Sequence, residues 1–156
     1  QLCSLDSKTV EKYVILLEQS YVIFRLNSFS RNLRNELKTS KKIYFYDNGI
    51  RNALIANFNQ IEGRADRGAL WENFLISERK KFLEYNRLWG NSWFWRTKEQ
   101  KEIDLVEERD GKITGYEFKW NPDQKVKIPR LFLDSYENSD FQVIHRDNCD
   151  SFLLEY

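Results

Sequence analysis

KEIDLVEERDGKITGYEFKW, residues 101–120, decides how this chain folds. Two apolar-alternating runs flank Glu108, Arg109, Asp110 and Gly111, and an Asp-Gly between such runs predicts a β-hairpin. Side chains two apart in a strand share a face. On the first run Glu102, Asp104 and Val106 are expected on one face, with Ile103 and Leu105 on the other. On the second run Gly115, Glu117 and Lys119 share a face, and Tyr116, Phe118 and Trp120 the opposite one. The usual hairpin register brings Asp104 near Glu117 and Lys119. Two carboxylates and an ammonium converging on one sheet face make a seat for a hard divalent cation. Alternating charge also describes a solvated strand face, so spacing alone leaves both readings open.

Working outward, 156 residues suffice for one medium domain, or one domain plus part of another. A chain of this size can build a core without staples, and eleven Phe, eight Tyr and five Trp supply one. The formal net charge of +1 argues against a broadly basic nucleic-acid coat, though not against a local patch. Cys3 and Cys149 sit near opposite ends with no zinc-like or disulfide-framework spacing, which fits reduced thiols in a cytoplasmic protein. No run reaches the ~18 apolar residues of a membrane span, and no signal-peptide pattern is present. The chain starts at Gln1 and has no Met, as expected of a piece of a longer protein.

Residues 4–19 carry helical signals: Asp6 or Ser7 as cap, and Val10, Tyr13, Val14, Leu16 and Leu17 as an apolar face. Residues 21–26 read as a strand, followed by a turn and the basic stretch 29–34. That order suggests the end of a winged-helix unit, with Lys8, Lys12, Arg31 and Arg34 available to phosphates. A linker subdomain packed on its neighbours explains the same residues. Residues 41–46, KKIYFY, predict a strand, and Asp47 caps a short helix to about Ile55. Residues 66–83 predict a helix whose buried stripe is Leu70, Trp71, Phe74, Leu75 and Phe82. It carries Glu72 near its start, where an acidic residue also complements the helix dipole. Residues 92–97 read as a strand, 128–135 as a helix and 140–145 as a last strand; 151–156 is apolar and of open type. From residue 66 the order is helix, strand, strand, strand, helix, strand. This predicts an α/β core with a three-strand meander and a helical crossover to the last strand.

That order, with Glu72 in the helix, Asp104 in the second strand and Glu117-Phe118-Lys119 in the third, resembles the PD-(D/E)XK nuclease superfamily. Four segments also resemble the C-terminal domain of unknown function of bacterial and archaeal AAA-type ATPases: KIYFYDNGIRNAL at 42–54, RGALWENFL at 67–75, FWRTKEQKEIDLV at 94–106 and YEFKWNP at 116–122. The resemblance implies a restriction-endonuclease-like core, a mixed β-sheet flanked by helices, over residues 41–156, preceded by a partial winged helix over 1–40. It implies that Asp104 and Glu117, with the Phe118 carbonyl, hold Mg²⁺ or Mn²⁺, and that Glu72 reaches the metal through water. Lys119 would orient the attacking water or stabilise charge on the phosphate during phosphodiester hydrolysis. The ATPase domain that binds ATP would lie outside this sequence, which contains no Walker A loop.

Two further readings stand beside the nuclease: a non-catalytic module for docking or oligomerisation of the ATPase, and a DNA-binding unit without hydrolysis. The expected partners are nucleic acid, chiefly DNA, the chain's own ATPase domain and further copies of itself. Arg96 is expected to meet a phosphate or pair with a carboxylate. Trp93, Trp95 and Trp120 are expected in the core, Asp47 serves as a cap, and His145 carries no role.

Overall fold

The computed structural model describes residues 4–31 and 40–154. Helix α1 (Ser7–Gln19) starts where the Asp6 carboxylate accepts the Lys8 and Thr9 N–H groups, a side-chain cap for otherwise unpaired donors. Strands β1 (Ile23–Asn27) and β2 (Lys41–Phe45) pair antiparallel. Residues on both sides of position 40 thus share one small sheet. Helix α2 (Asn48–Leu54) is capped by Asp47, as expected. Helix α3 (Arg67–Tyr85) is the longest element.

Strands β3 (Asn91–Arg96), β4 (Glu102–Arg109) and β5 (Lys112–Phe118) form the antiparallel meander. Helix α4 (Arg130–Ser135) crosses over to β6 (Ser139–Ile144), which runs parallel to β5. The result is a mixed four-strand sheet, β3-β4-β5-β6. Helix α5 (Cys149–Leu154) follows, in the segment of open type. A β-bridge from Ser28 to Phe94 links the small sheet to the large one, and Phe24, Leu26 and Tyr44 share a core with Phe94 and Leu105.

The β4–β5 turn is the Asp110-Gly111 pair, with φ of 51° and 76°. Two successive positive φ values match the twist of the flanking strands. Each sheet face is covered. On one, Leu105, Tyr116 and Phe118 pack with Trp71, Leu75 and Ile76 of α3 and Phe152 of α5. On the other, Ile103, Val106 and Ile113 pack with Trp95 and with Phe132 of α4. Gly115 lies in this second layer, where an added Cβ would meet Ile103 and Phe132 carbons at 3.3 Å. Gly115→Ala is therefore expected to lower stability by about 1–2 kcal/mol through overpacking, read as a shifted urea midpoint; an unchanged midpoint would mean that the layer yields.

Three expectations need correction. Val106 does not share a face with Asp104. Trp93 pairs with Val106, but Trp95 pairs with Ile103, so β4 carries one residue more than β3 between those points. This β-bulge lets Ile103 and Val106 fall in one layer and Leu105 in the other. Phe74 is exposed rather than part of the buried stripe, and stacks on Trp71 at 5.7 Å. Helix α1 buries none of its residues: Val10, Tyr13, Leu16 and Leu17 are exposed. Contact with β1 comes instead through polar groups, since Arg25 pairs with Glu11 and Glu18.

Inside α3 two polar residues explain burial that hydrophobic periodicity does not predict. Asn73 bonds both the N–H and the C=O of Phe45, at 2.8 and 2.9 Å, and so closes the outer edge of β2. Arg79 makes a two-pronged ion pair with Glu107 of β4, at 3.0 and 2.9 Å, and donates to the Phe152 carbonyl. Both side chains are buried. Among the described residues no helix is long and apolar enough to cross a membrane.

Candidate functional site

The β4–β5 ladder runs from the turn as far as Leu105 opposite Tyr116. Beyond it Asp104 Oδ2 accepts the Phe118 N–H at 2.9 Å, so a side chain takes the bond that a strand carbonyl would otherwise make. The bulge and this bond together set Asp104 at the opening between the two strands. Glu72 of α3 approaches from one side. Its Oε1 accepts from Tyr44 OH at 2.6 Å and from Lys42 Nζ at 2.9 Å, both from β2. Glu117 and Lys119 lie on the other side, paired to each other at 2.7 Å. The four residues thus surround a gap between strands, with Asp104 in the gap rather than on one sheet face with Glu117 and Lys119, as alternation had implied. Tyr116 and Phe118 point to the α3 layer and leave Glu117 to the α4 side, as alternation predicts; the departure is at Asp104, beside the bulge in β4.

Lys42 is the residue that sequence reading missed. Its ammonium pairs with Glu72, with Glu102, and at 3.7 Å with Asp104 Oδ1. Burial opposes its charge, but these carboxylates outweigh it and raise the Lys42 pKa. Glu102 also accepts from Arg96 Nε at 2.6 Å, so Arg96 pairs with a carboxylate. Burial works against the charge of Glu102 too, and Lys42 and Arg96 hold its carboxyl below the usual value. Burial pushes the Tyr44 hydroxyl upward, and Glu72 adds to it. Asp104 goes the other way from Glu102. Burial, with Glu72 and Glu117 close by, pushes its carboxyl up to about 7, against the opposing pull of the Phe118 N–H and Lys42. Position 42 gave no signal because a lysine at the start of a strand looks like any solvated edge charge.

Two openings flank the site. A cavity of about 510 Å³ is walled by Glu117, Lys119 and Glu102, and carries Lys101, Lys125, Lys127 and Arg130. A shallower one of about 340 Å³ holds Lys42, Tyr44, Glu72, Glu102 and Arg96. A third cavity, of about 460 Å³ and lined by Arg79, Glu107 and Trp89, contains none of the four predicted residues. Among the described residues no three His, Cys, Asp or Glu side chains are gathered closely enough to hold a metal ion.

The remaining expectations fall as follows. Trp95 is fully buried, Trp93 packs on the second layer, and Trp120 meets Trp71 edge-on at 5.3 Å. Arg31 pairs with Glu108, and Arg34 lies outside the described residues. The His145 ring accepts the Asp147 N–H at 3.2 Å.

Residues 67–149 match the family profile described as a domain of unknown function, DUF4143, over more than half of the chain. The chain belongs to the DUF4143 family. The DUF4143 match contains Glu72, Asp104, Glu117 and Lys119. Lys42 falls in a separate match, over residues 1–61, to another domain of unknown function, DUF8612. Beyond the DUF4143 profile, the chain is similar to uncharacterized proteins of Mycobacterium tuberculosis and Mycobacterium bovis. Identity is 29% to each over 113 residues, 71% of this chain. The matched region spans about a quarter of those relatives, 25% of each. No solved structure matches the chain.

Proposed function

We infer that this DUF4143 domain is a metal-dependent phosphodiesterase of the PD-(D/E)XK kind, a nuclease-like module acting on DNA. The observation that carries the reading is Asp104, held by the Phe118 N–H at the mouth of a split between strands, with Glu72 on one side and Glu117–Lys119 on the other. The donor set suits a hard divalent ion: carboxylate oxygens, with the Phe118 carbonyl adjacent. The Asp104 carboxyl is raised first by burial and then by Glu72 and Glu117, a penalty on its charge that a cation relieves. Asp104 and Glu117 would hold Mg²⁺ or Mn²⁺, and Glu72 would reach it through water. When bound, such an ion supplies a water of lowered pKa and neutralises phosphate charge.

The chain's own groups do the rest. Lys119 brings a positive charge to the cavity wall, where the negative charge of a phosphate rises during hydrolysis. Lys101, Lys125, Lys127 and Arg130 offer a local cationic rim in a chain of net charge +1, which allows backbone contacts without a broadly basic surface. The length of the mycobacterial relatives fits a module carried by a larger protein. We take that larger protein to be a cytoplasmic AAA-type ATPase that supplies ATP binding, and whose ATPase domain and further copies are the module's partners.

A cleavage assay on DNA with Mg²⁺ or Mn²⁺ tests this. Lys119→Ala is expected to slow cleavage at least about a hundredfold while leaving the melting temperature nearly unchanged. A second reading, a non-catalytic docking or DNA-binding module, is favoured by the absence of a gathered three-carboxylate cage among the described residues and by the Lys42 pairing with Glu72. Wild-type protein that shifts DNA in a salt-dependent way but never cuts it would select that second reading.

A further inference from the structure

The cation already present in this site is an amino group. Lys42 Nζ lies 2.9 Å from Glu72 Oε1 and 3.7 Å from Asp104 Oδ1, and it pairs with Glu102. Two of these three carboxylates belong to the set inferred above to serve a divalent ion. Lys42 comes from β2, in the segment matched by DUF8612, whereas the carboxylates come from the DUF4143 segment. The ammonium is a compact point charge on a flexible four-carbon stem. It therefore satisfies hard oxygen donors much as a small cation does. Two cations among the same oxygens repel each other strongly in a half-buried setting.

Resting on the metal-site reading above, we propose that Lys42 is a tethered counter-cation that competes with the divalent ion for Glu72 and Asp104, so that metal entry requires its withdrawal. The shallow cavity of about 340 Å³ that it borders, lined also by Ile43, Ala69, Glu72 and Arg96 but not by Asp104, gives the ammonium room to swing away from Asp104. Glu102 lines both openings and can keep its bond to the withdrawn ammonium. Tyr44 keeps Glu72 in place through its hydroxyl. Lys42 is thus a positioning residue with an inhibitory effect on metal loading. Its role is opposite in sign to that of Lys119, which stands at the other opening.

The test is calorimetric titration of the 156-residue chain with Mn²⁺, comparing wild type with Lys42→Gln, which removes the charge and keeps most of the side-chain length. Lys42→Gln is expected to bind Mn²⁺ about ten times more tightly, the scale of one lost charge–charge repulsion at a half-buried site. Its melting temperature in chelator should fall, and the rise on adding Mn²⁺ should exceed that of wild type. Equal or weaker binding by Lys42→Gln, with wild type binding normally, overturns the proposal and leaves the metal site standing. Absence of binding by both proteins overturns the metal site and this proposal together. If Lys42→Gln does not fold, wild type alone decides by lysine acetylation and mass spectrometry. Lys42 should label several-fold faster with saturating Mg²⁺ than in chelator, with exposed Lys8 unchanged. Equal labelling of Lys42 in both conditions, with Mg²⁺ bound, overturns the proposal.

Discussion

Asp104→Asn is expected to abolish Mn²⁺ binding and metal-dependent cleavage, and at the same time to raise the melting temperature of the metal-free protein above pH 7. The sign follows from the environment of this carboxyl. Burial beside Glu72 and Glu117 pushes it up to about 7 in the folded chain, against 3.8 for an ordinary aspartate. Between those values the unfolded chain has released the proton and the folded chain still holds it. The unfolded state then binds fewer protons, so stability falls as pH rises through this window and levels off above it. Asparagine carries no such charge and escapes the loss. The difference between variant and wild type should be small below pH 4, grow across the window, and reach roughly 3–6 °C above pH 7. Parallel melting curves for the two proteins from pH 4 to pH 8 would show that Asp104 titrates normally and that the carboxylates are not crowded.

Arg79→Ala is expected to produce the largest loss of stability, about 3–5 kcal/mol, because it leaves Glu107 charged in the interior with only the more distant Arg109, at 3.9 Å, as counter-charge. Both side chains are buried, and Arg79 also bonds the Phe152 carbonyl and lies 4.8 Å from the Phe152 ring centre. Glu107→Ala should cost about as much for the mirror-image reason. The double change to Met at 79 and Leu at 107 should recover most of the loss, since neither partner then remains as a buried charge. Urea unfolding of the three variants measures all of this. Additive single losses in the double variant would mean that the two groups do not depend on each other.

Much of the framework was legible in the chain. The Asp-Gly turn, the three-strand meander, the capped α2 and the crossover through α4 each rest on local signals: turn chemistry, period-two alternation, a side-chain cap and a proline. The α/β class followed from their order. What stayed hidden had non-local causes. The bulge that parts Val106 from Asp104 depends on how β4 lies against β3, and no property of residues 102–106 announces it. The exposure of α1 arises because its partner strand meets it through Arg25 and two glutamates rather than through an apolar seam. Asn73 and Arg79 are polar residues of α3, yet each is buried and bonded to an element 28 residues away along the chain. At the site, Asp104, Glu117 and Lys119 were brought together by hairpin alternation and Glu72 joined them by resemblance to a motif, and neither signal names a residue outside that set. Lys42 belongs to a strand of the other sheet and becomes visible only when β2 is laid beside α3.

The extra residue in β4 also fixes a length. Glu107 turns toward α3 to meet Arg79, and Asp104, three positions earlier, sits at the opening between the strands that Glu72 approaches. Three strand residues span about 10 Å. On α3 the facing residues are Glu72 and Arg79, seven positions apart, and seven helical residues also advance about 10 Å. The two scales therefore coincide at both marks, as on a vernier. Locking Arg79 onto Glu107 sets how far α3 slides along the sheet, and so determines from a distance where Glu72 comes to rest above Asp104.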